Sequence, residues 1–290
     1  MMATLAFHAP KTLDEAIALL AVDPRAIPLA GGTDLIVQLR SDRLEPSAII
    51  DLKRIEKLSG VRRHGDGFAI GAATPCTALK EDAELAAAWP GVVEAANLIG
   101  SVQVRNRATM AGNLCNASPA ADSVPALVAA GATCLVVGTG GEREVPVKDI
   151  PTGPGKTSLK PGEVVAEIRL PGRVGGEGDA YLRSIPRTEM DIAVVGAGAN
   201  LAFGPDGTCT AARIAVGAVA PTVVLVNEAG EALVGTRLDD TALEKMAEAV
   251  RSACNPIDDK RGTVEYRTAM AGVLAKRVVA IARDRAGEKA

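Results

Sequence analysis

Apolar and polar positions follow helical and strand-like periods in turn along the first sixty residues. Thr12 and Glu15 have capping-box spacing ahead of Ala16, Ile17, Leu19 and Leu20, which predicts a helix N-terminus. Residues 26–30 form a short apolar run that predicts a strand, and Gly31-Gly32 breaks it. Residues 34–40 return to a helical pattern, and residues 48–52 predict a second strand. Strands separated by a helix pair in parallel, so this segment reads as an α/β unit. From residue 60 the character changes. Residues 61–63 and 68–71 flank His64-Gly65-Asp66-Gly67, a hairpin signal. Ala-rich helices are predicted over 77–89 and 91–99, punctuated by Pro90. A long polar, glycine-containing stretch over 101–122 leads to a short apolar helix over 125–130. Residues 133–137 and 143–145 predict strands around Thr139-Gly140-Gly141, and residues 164–170 predict another.

The run Pro171-Gly172-Arg173-Val174-Gly175-Gly176-Glu177-Gly178 has the composition of a linker. Beyond it, residues 192–203 and 209–219 predict long antiparallel strands joined at Gly204-Pro205-Asp206-Gly207. Helices follow over 240–254 and 264–285, the second with Val264, Ala271, Leu274, Val278 and Ile281 on or near one face. There is no internal repeat and no low-complexity tract.

Composition narrows the function. At 290 residues and 48% hydrophobic, the chain can bury two or three small domains. Its 32 basic residues nearly balance 35 acidic ones without a basic run, which argues against a nucleic-acid surface. Aromatic content of 2% also leaves little for base stacking. The longest apolar region, 124–137, is interrupted by Pro, Gly and Thr, so no membrane span is expected. The N-terminus lacks the basic-then-apolar layout of a secretory signal, and a cytoplasmic location is expected. The 5 cysteines are never closer than 19 residues, which excludes a CxxC pattern, and an odd count disfavours a disulfide framework. With 2 histidines, a hydrolase triad or a His-based metal site has little to draw on, and no metal ligand is named. An enzyme built this way needs a bound cofactor for its hard chemistry.

Loops carry the candidate sites. Ala30-Gly31-Gly32-Thr33-Asp34-Leu35 lies between a predicted strand and helix. Glycines there let the backbone approach a ligand, and the helix start directs free N–H groups at an anion. An ordinary strand-to-helix turn has the same composition. Thr109-Met110-Ala111-Gly112-Asn113 reads either as a functional loop or as a left-handed turn at Gly112 and Asn113. Asp122, followed by Ser123, suits a helix N-cap or a polar ligand contact. Two motifs are set aside. Gly153-Pro154-Gly155-Lys156-Thr157-Ser158 lacks the earlier glycine of a P-loop, and Gly196-Ala197-Gly198-Ala199-Asn200-Leu201 lacks the third glycine of a dinucleotide fingerprint.

With both loops in view, the chain resembles the FAD-binding medium subunits of the carbon monoxide dehydrogenase/xanthine dehydrogenase family, the molybdenum hydroxylases, nearly end to end. The likeness rests on Ala30-Gly31-Gly32-Thr33-Asp34 and on Arg105-Asn106-Arg107-Ala108-Thr109-Met110-Ala111-Gly112-Asn113. Ala117-Ser118-Pro119-Ala120-Ala121-Asp122, Pro125-Ala126-Leu127, Gly71-Ala72-Ala73-Thr74, Lys160-Pro161-Gly162-Glu163 and Glu265-Tyr266-Arg267 extend it. It implies an α+β fold: a two-part FAD-binding fold of the vanillyl-alcohol-oxidase type over 1–57 and 58–175, then a C-terminal domain over 176–290 with an antiparallel sheet and helices. In the family both glycine loops cradle the FAD pyrophosphate. That assigns Ala30, Gly31, Gly32, Thr33, Asp34 and Leu35 to one side, and Thr109, Ala111, Gly112 and Asn113 to the other. Backbone N–H groups converging in this way need no Lys or Arg. The resemblance also puts Asp122 on the ribityl chain and Ile99, Gly100, Cys115 and Val165 on the flavin or adenine. Arg183 and a segment ending at Ile192, with Arg187, would lie near the isoalloxazine ring. Ala111 stands where the family usually has Gly, which demands a negative φ there. Thr33-Asp34 replaces the His-Ser of some relatives, and the cysteine-rich cluster segment of others is missing.

The function so implied is an oxidoreductase subunit without catalytic side chains of its own. FAD on this chain would take electrons from two [2Fe–2S] clusters on a small partner and pass them to an external acceptor. A large partner would carry the molybdenum cofactor, in a dimer of heterotrimers. The clusters cannot sit here, because their ligation needs closely grouped thiolates. The rival readings are a non-redox structural subunit of such a complex and a free-standing NAD(P)H-dependent flavin reductase.

Overall fold

The computed structural model describes residues 5–288. Its first unit is β1 (Ala6–His8), α1 (Leu13–Val22), β2 (Ala26–Leu29), α2 (Leu35–Arg40) and β3 (Ala48–Asp51). The strands form a parallel sheet in the order β1-β3-β2, as the strand–helix alternation predicts; β1 itself lies ahead of the predicted elements. The capping box at Thr12 and Glu15 is formed, and α1 buries Ala16, Ile17 and Leu20 against Ile50, Leu52 and Ile55. By contrast α2 buries none of its side chains.

The second unit begins with the predicted hairpin, β4 (Val61–His64) and β5 (Gly67–Gly71). The single helix expected over 77–89 is two, α3 (Cys76–Glu81) and α4 (Ala83–Ala88). Asp82 divides them, because its Oδ1 accepts from Leu85 N at 2.9 Å and starts a new N-terminus. After α5 (Pro90–Ala96), the stretch expected to be a polar loop contains α6 (Val102–Arg105) and α7 (Met110–Cys115). Then come α8 (Ser123–Ala130), ended by Gly131 at φ 72°, and β6 (Thr133–Gly138) and β7 (Gly141–Pro146). A small hairpin of β8 (Pro151–Gly153) and β9 (Lys156–Thr157) occupies the run that ends like a P-loop. With β10 (Val164–Leu170), the larger strands make an antiparallel sheet in the order β4-β5-β10-β6-β7. Its core centres on Trp89, Leu114, Leu127 and Ile168.

The third unit is an antiparallel sheet, β11 (Glu177–Ser184), β12 (Val195–Phe203), β13 (Cys209–Gly217) and β14 (Val224–Leu225), with α9 (Asn227–Glu231), α10 (Asp240–Ser252) and α11 (Val264–Glu288). β11 is a correction, since its glycines had the look of linker. Those glycines serve close packing: a Cβ on Gly178 would overlap Ala282 O of α11 and approach Ala286 N to 2.7 Å. Ala271, Leu274 and Val278 are buried as the helical face predicts, whereas Val264 is exposed at the first turn. The stretch Gly196–Leu201 lies within β12, so its glycines are strand residues.

Strand alternation makes β11 a two-faced joint. Gly178 and Ala180 lie under α11, while Asp179, Tyr181 and Arg183 reach the second unit. The supposed linker is pinned as well. Arg173 stacks over the Trp89 ring at 3.7 Å and pairs with Asp179 Oδ1 at 2.8 Å, and Asp179 Oδ2 accepts from Val92 N at 3.1 Å. From β13, Arg213 donates to Val128 O and Ala129 O at 2.9 and 3.1 Å, satisfying carbonyls that end α8. Among the described residues no helix is long and apolar enough to cross a membrane.

Inside the third unit, Arg267 is 3% exposed and donates to Val194 O at 2.7 Å and to Ala218 O and Gly262 O at 3.3 Å, and it pairs with Asp259 at 2.7 Å. Replacing Arg267 with Ala strips these buried acceptors of their donors. A loss of about 3 kcal/mol is expected, measured as a lower urea midpoint for the C-terminal unfolding step. Arg267→Lys should recover only part of it, because an ammonium lacks the planar fork that reaches several carbonyls together.

Candidate flavin site

Between the first two units lies a cleft of about 540 Å³, within the range of small-molecule and cofactor sites. One wall is the turn from β2 into α2. Gly32 adopts φ +80°, which carries the chain away from the sheet, and Ile36 N then donates to Gly32 O at 3.0 Å. The amides of Gly31, Gly32, Thr33 and Asp34 donate to nothing within the chain among the described residues. Lys53 Nζ holds the turn from beneath by donating to Ala30 O at 3.1 Å. Burial pushes the Asp34 carboxyl above the usual carboxylate range.

The opposite wall is the start of α7. Thr109 caps it, its Oγ1 accepting from Gly112 N at 2.9 Å and its carbonyl from Asn113 N at 2.9 Å. This revises the sequence reading in two respects. Gly112 and Asn113 are helical, so no left-handed turn forms there; and their amides are committed to Thr109. The Met110 amide is turned toward Thr74 by the antiparallel bridge between Pro75 and Thr109, so among the described residues the amide left without a partner at this helix start is that of Ala111. Ala111 sits in helical conformation, so its methyl is accommodated with the negative φ that the sequence reading required.

The two walls meet at Gly31. A Cβ there would overlap Arg107 O and lie 2.7 Å from Arg107 C and 2.9 Å from Ala108 Cα. Further out, Gln38 Nε2 donates to Asn116 Oδ1 at 2.9 Å and ties α2 to the end of α7. The cleft thus offers neutral N–H donors from both walls, flanked by apolar surface from Leu20, Pro28, Leu44 and Leu159. That set fits a diphosphate joined to flat apolar rings.

Of the residues singled out from sequence, Ala30, Gly31, Gly32, Thr33, Asp34, Leu35, Ile99, Thr109, Ala111, Gly112, Asn113, Cys115 and Val165 all line this cleft. Burial pushes the Cys115 thiol up to about 12, so it stays protonated. Gly100 follows Ile99 at φ +56° but does not line the cleft. Asp122 and Arg183 are engaged with each other: Arg183 Nη1 lies 2.7 Å from Asp122 Oδ2, and Tyr181 donates to Oδ1 at 3.2 Å. Asp122 starts α8 without capping it through its side chain. Burial raises its pKa, against the pull of Arg183. Ile192 is 51% exposed in the segment before β12, where Arg187 pairs with Asp191 at 3.1 Å and holds that carboxyl below its usual range.

The sequence reading missed the strip from Gly155 to Val164, most of which forms a further wall of the cleft. Its signal was present. The Gly155-Lys156-Thr157 turn has the end of a P-loop without its first glycine, and Lys160-Pro161-Gly162-Glu163 belongs to the family likeness. Arg143 pairs with Glu163 at 2.7 Å and keeps this wall's carboxylate ionised.

Residues 3–173 match the family described as the FAD binding domain in molybdopterin dehydrogenase, and residues 180–282 match the CO dehydrogenase flavoprotein C-terminal domain. The chain belongs to this family of FAD-binding medium subunits. It is 37% identical to the carbon monoxide dehydrogenase medium chain of Afipia carboxidovorans over 97% of both chains. It is 33% identical to the xanthine dehydrogenase FAD-binding subunit of Escherichia coli O157:H7, over 98% of this chain and 97% of that one. The fold matches a chain of reconstituted CO dehydrogenase from Oligotropha carboxidovorans with a TM-score of 0.94 and 36% identity, covering 98% of this chain and 99% of that one. For quinoline 2-oxidoreductase from Pseudomonas putida 86 the TM-score is 0.90, with 28% identity and 99% of each chain covered. The α+β medium-subunit fold expected from the resemblance is therefore found, and the chain is an oxidoreductase flavoprotein subunit.

Gly31 gives the medium subunit a sharp test. Gly31→Ala forces the two turns apart, and bound FAD per purified chain should fall below about a tenth of the wild-type value. Gly140→Ala meets nothing within 4 Å and should keep full flavin content, read from absorbance at 450 nm (on the order of the usual flavin maximum).

Proposed function

We propose that this chain holds FAD across the cleft, collects electrons from two [2Fe–2S] clusters on a small partner subunit and passes them to an external acceptor. A large partner carries the molybdenum cofactor, and the assembly is a cytoplasmic dimer of heterotrimers. Bound FAD supplies the redox chemistry, exchanging electrons singly or in pairs. The chain's own residues bind, orient and shield it. The amides of Gly31 to Asp34 and of Ala111 hold the diphosphate, with Asn113 beside them. Ile99, Cys115 and Val165 supply apolar contact, and the protonated Cys115 thiol brings no charge to it. No side chain acts as an acid or base in this reading.

The observation that carries it is the close approach of the two turns at Gly31, with unpartnered amides on both sides. A structural subunit that had lost FAD would have no need to keep such a cleft open. The names of the relatives, medium chains and FAD-binding subunits, favour a multi-subunit assembly over a free-standing flavin reductase. The division at residues 57 and 175 belongs to the same reading; the apolar clusters run across it, the first unit's taking in Ala73, Val137, Val164 and Ala166 and the largest Tyr181, Ala215 and Val223.

The test uses the whole complex, purified with and without flavin. Iron–sulfur absorbance is bleached with stoichiometric dithionite, and reoxidation by menadione is followed by stopped flow. Flavin-free complex should reoxidise at least about tenfold more slowly. Equal rates in the two preparations would mean that electrons leave by another route.

A further inference from the structure

Asn113 faces the cleft, yet its side chain is set from outside it. Ser123, which is fully buried, donates its backbone N–H to Asn113 Oδ1 at 3.2 Å and its hydroxyl to the same oxygen at 2.7 Å. A main-chain N–H can only donate, so the group facing Ser123 must be the carboxamide oxygen and not the NH2. Nδ2 is thereby left as the free end of Asn113, on a residue that lines the cleft.

Ser123 is the first residue of α8, and α8 is fixed by the C-terminal sheet. Next to Ser123, Asp122 has one carboxylate oxygen on Arg183 at 2.7 Å and the other on Tyr181 at 3.2 Å, both from β11. The helix rests directly on strand backbone: a Cβ on Gly198 would lie 2.7 Å from Pro125 O, and one on Gly217 would lie 2.9 Å from Pro125 Cγ. At the far end Arg213 takes the last carbonyls. Two polar pairs, Arg183–Asp122 and Ser123–Asn113, are thus joined by the peptide bond between Asp122 and Ser123 and link the third unit to the cleft between the first two.

We propose that Ser123 is a positioning residue for the FAD diphosphate, acting through Asn113 by holding Nδ2 toward the ligand, and that Arg183 secures it from the C-terminal sheet through Asp122. The role of Arg183 is then to orient the cleft, without itself touching the cofactor. This rests on the cleft being the FAD site proposed above.

The experiment titrates FAD into deflavinated, otherwise intact complex and records the phosphorus-31 resonances of the bound diphosphate. Asn113→Asp keeps the shape and the oxygen that Ser123 binds but turns the free donor into an acceptor; affinity should fall about 100-fold. Ser123→Ala keeps the N–H and loses the hydroxyl; affinity should fall about tenfold, with shifted phosphorus resonances and an unchanged melting temperature of the deflavinated complex. Arg183→Met should weaken binding about fivefold, and Arg183→Lys, which retains the pairing, should restore most of it. Should Ser123→Ala and Asn113→Asp bind FAD within about twofold of wild type with unmoved resonances, the positioning role is refuted. If Gly31→Ala also binds normally, the cleft assignment itself fails; if Gly31→Ala alone loses FAD, only the relay does.

Discussion

Everything at the flavin site follows from one steric fact, that the backbone at Gly31 lies against the backbone at Arg107 and Ala108 with no room for a side chain. That contact joins two turns that are remote in sequence and aligns amides that have no partner of their own. An isolated unpaired amide in a buried turn costs free energy; a cluster of them is tolerable when an anion completes the set. The cleft therefore needs little formal positive charge to favour a diphosphate. It is also why a chain with so balanced a composition can hold so charged a ligand.

Such a contact is useful only if both walls are rigid, and the rigidity comes from different places. The first turn has no core of its own, since α2 buries nothing; it depends on Lys53 beneath it and on the Gln38–Asn116 bond beside it. The second turn belongs to the largest apolar core and is backed by α8, which the C-terminal sheet grips at both ends through Arg183 and Arg213. Buried Arg–Asp pairs contribute little net stability once desolvation is counted, and their value lies in direction. Here they fix a helix that touches both the C-terminal sheet and the residues behind the cleft.

Much of this was legible in the sequence, for local reasons. The capping box at Thr12, the hairpin at His64 to Gly67 and the parallel strands around Gly31-Gly32 each have a short-range signature, and each is present in the fold. The losses have equally local causes. Residues 101–122 mix Gly, Asn, Ser and Thr, which disfavour helix by propensity, and α6 and α7 form because Ser101 and Thr109 cap them. β11 was hidden because Gly176 and Gly178 resemble linker, when close packing under α11 is what requires Gly178. Asp122 had the spacing of a cap, but a strand more than fifty residues later in the chain takes both its oxygens, which no local pattern encodes.

The two glycine loops are also less alike than their sequences suggest. At Gly31 the glycine is demanded by another stretch of backbone, which cannot yield without moving a wall of the cleft. At Gly112 a Cβ would meet only Thr109 Oγ1, at 2.9 Å, within the same turn. Next to it Ala111 carries its methyl in helical conformation, 5% exposed, while its amide stays free. A residue can therefore donate to the diphosphate without being glycine, provided its φ is negative and its side chain has somewhere else to go. The glycine pattern common to both loops is, in this chain, a requirement for close backbone approach at one loop and for a capped helix start at the other.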